Sequence, residues 1–233
     1  MKAPVLLFVA FAAALGLGAA PAGATRECEG LMVCVAKAGP WVVVPTGGDV
    51  PRPRVEYQLA CPRHYVVGGL DAEVSERALD VTFVGLLGSP VNPGVTTSTS
   101  VVFVASYVGR TAATASFRPH VGCLPGKGGG SRVPTAAGTL VVGHPTIRRV
   151  RTVRVRPGSG SVVQACRGRE RLVDAAEAVG FFMRRPPDAS LARSVTATLA
   201  LTGNRAVARV RADAEISAVH AVVQVQAVCT SAS

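Results

Sequence analysis

Val195-Thr196-Ala197-Thr198-Leu199-Ala200-Leu201 alternates apolar and polar or small side chains and stops at Thr202-Gly203-Asn204. Ala206-Val207-Ala208-Arg209-Val210-Arg211 resumes the alternation directly after that turn. Period-two alternation on both sides of a Gly-Asn turn predicts a β-hairpin. The same texture extends outward. Val101-Val102-Phe103-Val104-Ala105-Ser106-Tyr107-Val108 is β-branched and aromatic, bounded by Ser/Thr and Gly, and Val219 to Val228 reads as another strand. Arg169 to Met183 contains good helix formers. Its counterpart earlier in the chain holds Gly68-Gly69, which a helix interior disfavours, so it is read as strand. Short strands at about ten-residue spacing predict an all-β chain of sandwich or barrel type.

The cysteines divide that β chain into two. Cys61 and Cys123 are 62 positions apart, and Cys166 and Cys229 are 63. The flanks agree as well. Trp41 to Gly48 and Val153 to Gly160 are β-branched runs ending in Pro/Gly/Ser turns. Phe117, Pro119, Val121 and Cys123 match Val223, Val225, Ala227 and Cys229. Spacing with both flanks points to a diverged tandem repeat. The expected organisation is a signal peptide over 1–24, a β domain over 25–125, a Gly/Pro-rich linker over 126–146 and a second β domain over 147–233. The expected fold is two tandem disulfide-stapled β-sandwich-like repeats, Ig-like or barrel-like. The expected pairs are Cys28–Cys34, Cys61–Cys123 and Cys166–Cys229. A bridge closing a loop of about 60 residues adds ~4 kcal/mol by the chain-entropy model, which helps domains this small.

The leader sets the compartment. Lys2 precedes the apolar run Val5 to Gly18, and Ala22-Gly23-Ala24 is a small-residue cleavage site ahead of Thr25. The run is shorter than the ~20 residues of a spanning helix. No lipobox precedes Cys28, and no later apolar stretch is long enough to span. The expectation is a secreted chain, extracellular or periplasmic, with no transmembrane segment in its mature part. Six cysteines in an oxidising compartment read as disulfides.

Charge is the main functional signal. The chain of 233 residues carries a formal +11, and without Lys2 it has 24 basic against 14 acidic residues. All the basic residues there but Lys37 and Lys127 are arginine, which suits bidentate contact with phosphate, sulfate or carboxylate. Arg148, Arg149, Arg151, Arg154 and Arg156 are the densest cluster, and Arg184, Arg185, Arg205, Arg209 and Arg211 lie further along. In an extended chain Arg149 and Arg151 share one face and Arg154 and Arg156 the other. Arg149, Arg151, Arg154 and Arg156 are therefore the candidate anion ligands. The bland counterpart is composition with edge protection, since an Ala/Gly/Val/Arg/Pro bias enriches arginine without function and edge charges block aggregation.

Other chemistry is thinly represented. Nucleic acid is disfavoured, because aromatic stacking platforms are scarce and no binding module is present. His64 and His120 flank Cys61 and Cys123 at three residues and would face each other if those segments paired; no third ligand follows, so no metal and no cofactor is expected. Asp71, Glu73, Glu76 and Asp80 form an acidic cluster, with Asp174 and Glu177 at the matching places of the second repeat. Pro90-Val91-Asn92-Pro93-Gly94 reads as a rigid turn, and Gly126-Lys127-Gly128-Gly129-Gly130-Ser131 as linker, not a phosphate loop. No G-x-S-x-G and no free thiol is read. The leading reading is a secreted non-enzymatic binding or structural protein of the cell envelope, contacting anionic polymers through arginines. The alternative is a secreted inhibitor or effector with a protein partner. Less favoured is a small hydrolase gathering Asp71, Glu73 and a histidine.

Overall fold

Alternating β-branched and small residues build nearly every element. The computed structural model describes residues 25–47, 52–85, 99–110, 114–126 and 146–230. The leader, the Pro90–Gly94 turn and the glycine-rich linker from Lys127 onward lie outside those residues. The strands of the first half are β1 (Val35–Ala38), β2 (Trp41–Val44), β3 (Val55–Ala60), β4 (Tyr65–Val74), β5 (Leu79–Gly85), β6 (Ser100–Tyr107) and β7 (Ala115–Pro125). Those of the second half are β8 (Thr146–Arg154), β9 (Gly158–Ala165), β10 (Arg171–Phe182), β11 (Val195–Thr202), β12 (Arg205–Ala212) and β13 (His220–Thr230). The chain is mostly β. One short helix, α1 (Ala189–Arg193), starts where the Asp188 side chain accepts the Leu191 N–H at 2.8 Å. No helix among the described residues is long and apolar enough to cross a membrane.

Strand order is the same in both halves. β3–β6–β5 is one three-stranded sheet and β9–β12–β11 another. In the first half β7 pairs with β4 on one edge and with β1 and β2 on the other; in the second, β13 pairs with β10 and β8. β2 also pairs with β10, through Val42–Gly180 and Trp41–Phe181, joining these groups into one curled seven-stranded sheet. Even the irregularities coincide. Cys123 pairs with Val67 and Cys229 with Leu172; one residue then bulges in each half, and pairing resumes at Gly69–Gly122 and Asp174–Val228. This register corrects one expectation. The counterparts of Asp71 and Glu73 are Ala176 and Ala178, while Asp174 takes the place of Gly69. Asp71 stands ten residues past its cysteine and Asp174 only eight, so their likeness is not positional.

Two cores follow from the two sheet pairs. Val42, Tyr57, Phe103, Phe117, Val121 and Cys123 fill the first; Val162, Phe181, Ala208, Ile216, Val223 and Cys229 fill the second. Phe103, Phe117 and Phe181 are fully buried, each worth roughly 1.5–3 kcal/mol over exposure. Phe83 meets Phe103 edge-on at 5.2 Å between ring centres. Burial pushes the Tyr57 phenol up to about 12. Cys61–Cys123 and Cys166–Cys229 each tie a three-stranded sheet to the large one, and Cys28–Cys34 closes a loop at the N-terminal end.

A glutamine seam joins the halves. β3 is an edge strand, so half of its backbone groups need another partner. The Gln224 amide supplies it: its Oε1 accepts the Gln58 N–H at 2.6 Å and its Nε2 donates to the Gln58 carbonyl at 3.0 Å. Gln226 Nε2 donates to the Glu56 carbonyl at 3.0 Å. Arg148 closes the seam on Glu56 and Gln226. Both glutamines are buried within Ala221–Cys229, a run of β13 that is otherwise apolar.

Candidate functional site

β12 decides the site by alternation. Ala206, Ala208, Val210 and Ala212 are buried, so Arg205, Val207, Arg209 and Arg211 point away from the core. The flanking strands present hydroxyls at the same two levels. Arg209 pairs with Thr198 of β11 and Ser161 of β9; Arg211 pairs with Thr196 and Ser159. Two Thr–Arg–Ser rows result, about 4.8 Å between strands and about 6.8 Å between rows. All six side chains are exposed. They line a shallow hollow of about 520 Å³ with Gly160 and Val210.

The electrostatics of this face are one-signed. β9, β11 and β12 contain three arginines and no acidic residue. Among the described residues no carboxylate pairs with Arg209 or Arg211. Each guanidinium keeps five N–H donors, and each neighbouring hydroxyl donates or accepts as a ligand requires. Such a surface can hold phosphate, sulfate or carboxylate oxygens without first breaking an ion pair.

The arginines singled out from sequence are distributed differently. Arg149 is committed to Glu170, through Nε to Oε2 at 2.7 Å and a second, shorter contact from Nη2. That bond holds the Glu170 carboxyl down at about 2, helped by the Arg167 N–H at 2.7 Å, and raises Arg149 further. Arg151 is exposed, and its Nη1 reaches the Val163 carbonyl of the β9 edge at 3.4 Å. Arg154 ends β8, and Arg156 lies in the turn before β9; both are exposed. The cluster is thus split between an ion pair, an edge contact and two free positions. Arg209 and Arg211, noted only as additional basic residues by sequence, form the better face. Their signal was present: pairing about Gly203-Asn204 sets Thr198 beside Arg209 and Thr196 beside Arg211.

A second cluster lies beneath the N-terminal loop. His120 Nε2 is 3.2 Å from Glu73 Oε1, and its Nδ1 is 3.6 Å from Glu27 Oε1. Asp71 stands opposite His120 in register. Glu27 and His120 are only 4% and 5% exposed, so the loop covers this group. His64 does not face His120; it occupies the exposed turn before β4 with φ of 70°. The one three-residue group of metal-ligand type among the described residues is Cys166, Cys229 and Glu170. Its sulfurs form a disulfide and its carboxylate holds Arg149, leaving no thiolate to bind a metal.

No family model, curated protein or solved structure matches this chain. Function therefore rests on the two clusters themselves. One is open, cationic and rich in donors; the other is buried, acidic and part of the packing.

Proposed function

We propose that the protein is an exported, non-enzymatic binding module of the cell envelope. Its body is a duplicated, disulfide-stapled β-sandwich, and its working surface is the outer face of β9–β12–β11. The observation that carries this reading is the pair of Thr–Arg–Ser rows, whose arginines have no carboxylate partner among the described residues. Export rests on the leader and on cysteines that are all disulfide-bonded. The ligand class is a linear anionic polymer bearing phosphate, sulfate or carboxylate groups. Rows about 6.8 Å apart favour successive charges of one strand over a single small anion.

The test is binding of the 25–233 protein to anionic polymers across a salt series. Affinity should fall steeply with salt. Arg209→Ser with Arg211→Ser should weaken binding at low salt and reduce the salt slope by about two. Arg149→Ser should leave the slope unchanged. Equal binding by the double variant and the parent would discard this face as the site.

A second reading has one observation behind it. Met32 and Val33 are 102% and 61% exposed at the tip of the Cys28–Cys34 loop. A stapled apolar tip suits a protein partner, as an inhibitor or effector requires. A photo-crosslinker at Met32, activated in secreting cells, should then yield one discrete protein adduct.

A further inference from the structure

Glu27 poses a problem of charge. It is 4% exposed, and its Oε2 has no hydrogen-bond partner among the described residues. Its Oε1 accepts the Thr25 hydroxyl at 3.1 Å and lies 3.6 Å from His120 Nδ1. A buried carboxylate oxygen without a donor is costly, so a partner is called for. The surroundings are short of cations. Asp71 and Glu73 on β4 are acidic, as is Glu27 above them. Arg118 on β7 stands 4.0 Å from Glu73, and Arg26 turns outward to Glu29 at 3.8 Å. Among the described residues His120 is the basic side chain that lies between Glu27 and Glu73.

The backbone cannot relieve this by moving away. The Glu27 carbonyl rests on Gly69 and Gly122, where an added Cβ would come within 1.8 and 2.0 Å of its oxygen. The Cys28–Cys34 bridge closes the loop behind it. Thr25 is held from both sides, by its hydroxyl on Glu27 and by the Arg26 N–H donating to Asp71 Oδ2 at 2.7 Å. Covalent geometry keeps the Thr25 nitrogen within about 4 Å of its own hydroxyl oxygen and of the Arg26 nitrogen. That nitrogen therefore lies within about 7 Å of both the Glu27 and the Asp71 carboxylates.

We propose that this group is a binding site for an α-ammonium, and that the ligand is the chain's own N-terminus at Thr25. The proposal rests on the export reading. In the precursor the Thr25 nitrogen is a neutral amide. A secretory peptidase adds water across the Ala24–Thr25 peptide bond. Ala24 leaves with the carboxylate, and the freed Thr25 amine takes up a proton. The new ammonium supplies a cation to Glu27 and Asp71, for which no arginine or lysine ion pair is found among the described residues, and it fastens the stapled loop over β4 and β7. Removal of the leader thus completes the packing, and the precursor's loop is the looser one.

Three forms of the protein test this: one beginning at Thr25, the same with an acetylated α-amine, and one with Gly-Ala ahead of Thr25. Acetylation or extension should lower Tm by several degrees, and either effect should be smaller in Glu27→Gln. NMR of a 13C-labelled α-amine should show a proton affinity about tenfold above the ordinary α-amino value near 8. Asp71→Asn, which keeps Glu27 in place, should remove part of that rise. An ordinary α-amine titration together with an indifferent Tm overturns the proposal. The mass of the exported protein separates the two ways of failing. A terminus elsewhere than Thr25 defeats the leader reading, whereas a Thr25 terminus with an ordinary amine defeats the ammonium site.

Discussion

The outer faces of the two three-stranded sheets occupy the same place in the strand order and present different chemistry. Phe103 pairs with Tyr57, four residues before Cys61, as Ala208 pairs with Val162, four before Cys166. Val104 is therefore the counterpart of Arg209, and Ser106 of Arg211. In the first half the row is Glu56–Val104–Thr82, with Val104 9% exposed and Glu56 engaged by Arg148 of the other half. In the second half it is Ser161–Arg209–Thr198, with all three exposed. One face has been drawn into the joint between halves, and the other has been left free. At matching register the first half carries valine where the second carries an outward arginine, and a carboxylate already engaged where the second carries a serine.

The largest effects test whether the halves are equivalent as frames. Replacing both cysteines of Cys61–Cys123, or both of Cys166–Cys229, by alanine should cost ~4 kcal/mol in either case, because the loops are nearly equal in length. That corresponds to a fall in Tm of roughly 8–16 °C, read by thermal unfolding. A large difference between the two variants would break the equivalence and show that one half stabilises the other.

The joint comes next. Gln224 and Gln226 stand where the first half has Arg118 and His120. Both pairs sit on the outward face of a central strand, and three of the four side chains are buried by different neighbours: His120 by the N-terminal loop, and the glutamines by β3. Gln224→Ala leaves the Gln58 N–H and carbonyl without partners, at about 1–3 kcal/mol for each group. Denaturant unfolding should then show loss of cooperativity between the halves or a lowered single midpoint. An unchanged curve would mean that the seam contributes nothing to their union.

Much of this frame was legible in the sequence, because alternation and cysteine spacing act locally or through one bridge. The hairpin about Gly203-Asn204 and the strand character of Arg171–Phe182 came from side-chain period and from glycine in the counterpart. The seam was not legible. Gln224 and Gln226 read as interruptions of an apolar strand, and their partners lie 166 and 170 residues away on an edge that no local pattern announces. The proposed anion-binding face was half legible. Counting arginines favoured the dense run Arg148 to Arg156, but density placed opposite charges nearby, and Glu170 and Glu56 absorbed two of them. Arg209 and Arg211 are fewer, and among the described residues neither is held in an ion pair, which a count undervalues.

Acid separates the committed arginine from the free ones. The Glu170 carboxyl is held at about 2 in the folded protein, below its ordinary 4.5. A lowered carboxyl value gives stability that is complete above the unfolded value and is lost as pH falls through 4.5 toward 2. Glu170→Gln should flatten that part of the acid-unfolding profile, whereas Arg209→Ser with Arg211→Ser should leave it unaltered. A profile insensitive to Glu170 would mean that the Arg149 pair is too solvated to count.

The smallest effect has the opposite sign. Glu177 lies half-buried on β10, and desolvation pushes its carboxyl up, outweighing the Leu199 N–H that favours the charged form. A raised carboxyl value means that the folded state prefers the protonated group, so its ionisation costs stability as pH rises through that value. The counterpart of Glu177 in the first half is Ala72, packed against its core with no charge to desolvate. Glu177→Gln should therefore raise Tm slightly at pH 7, and the gain should vanish at a pH low enough to protonate the parent. A gain that persists in acid would trace the effect to the shape of the amide and not to the removal of a charge, and a loss at pH 7 would show that the ionised carboxylate is the better partner for the β11 backbone.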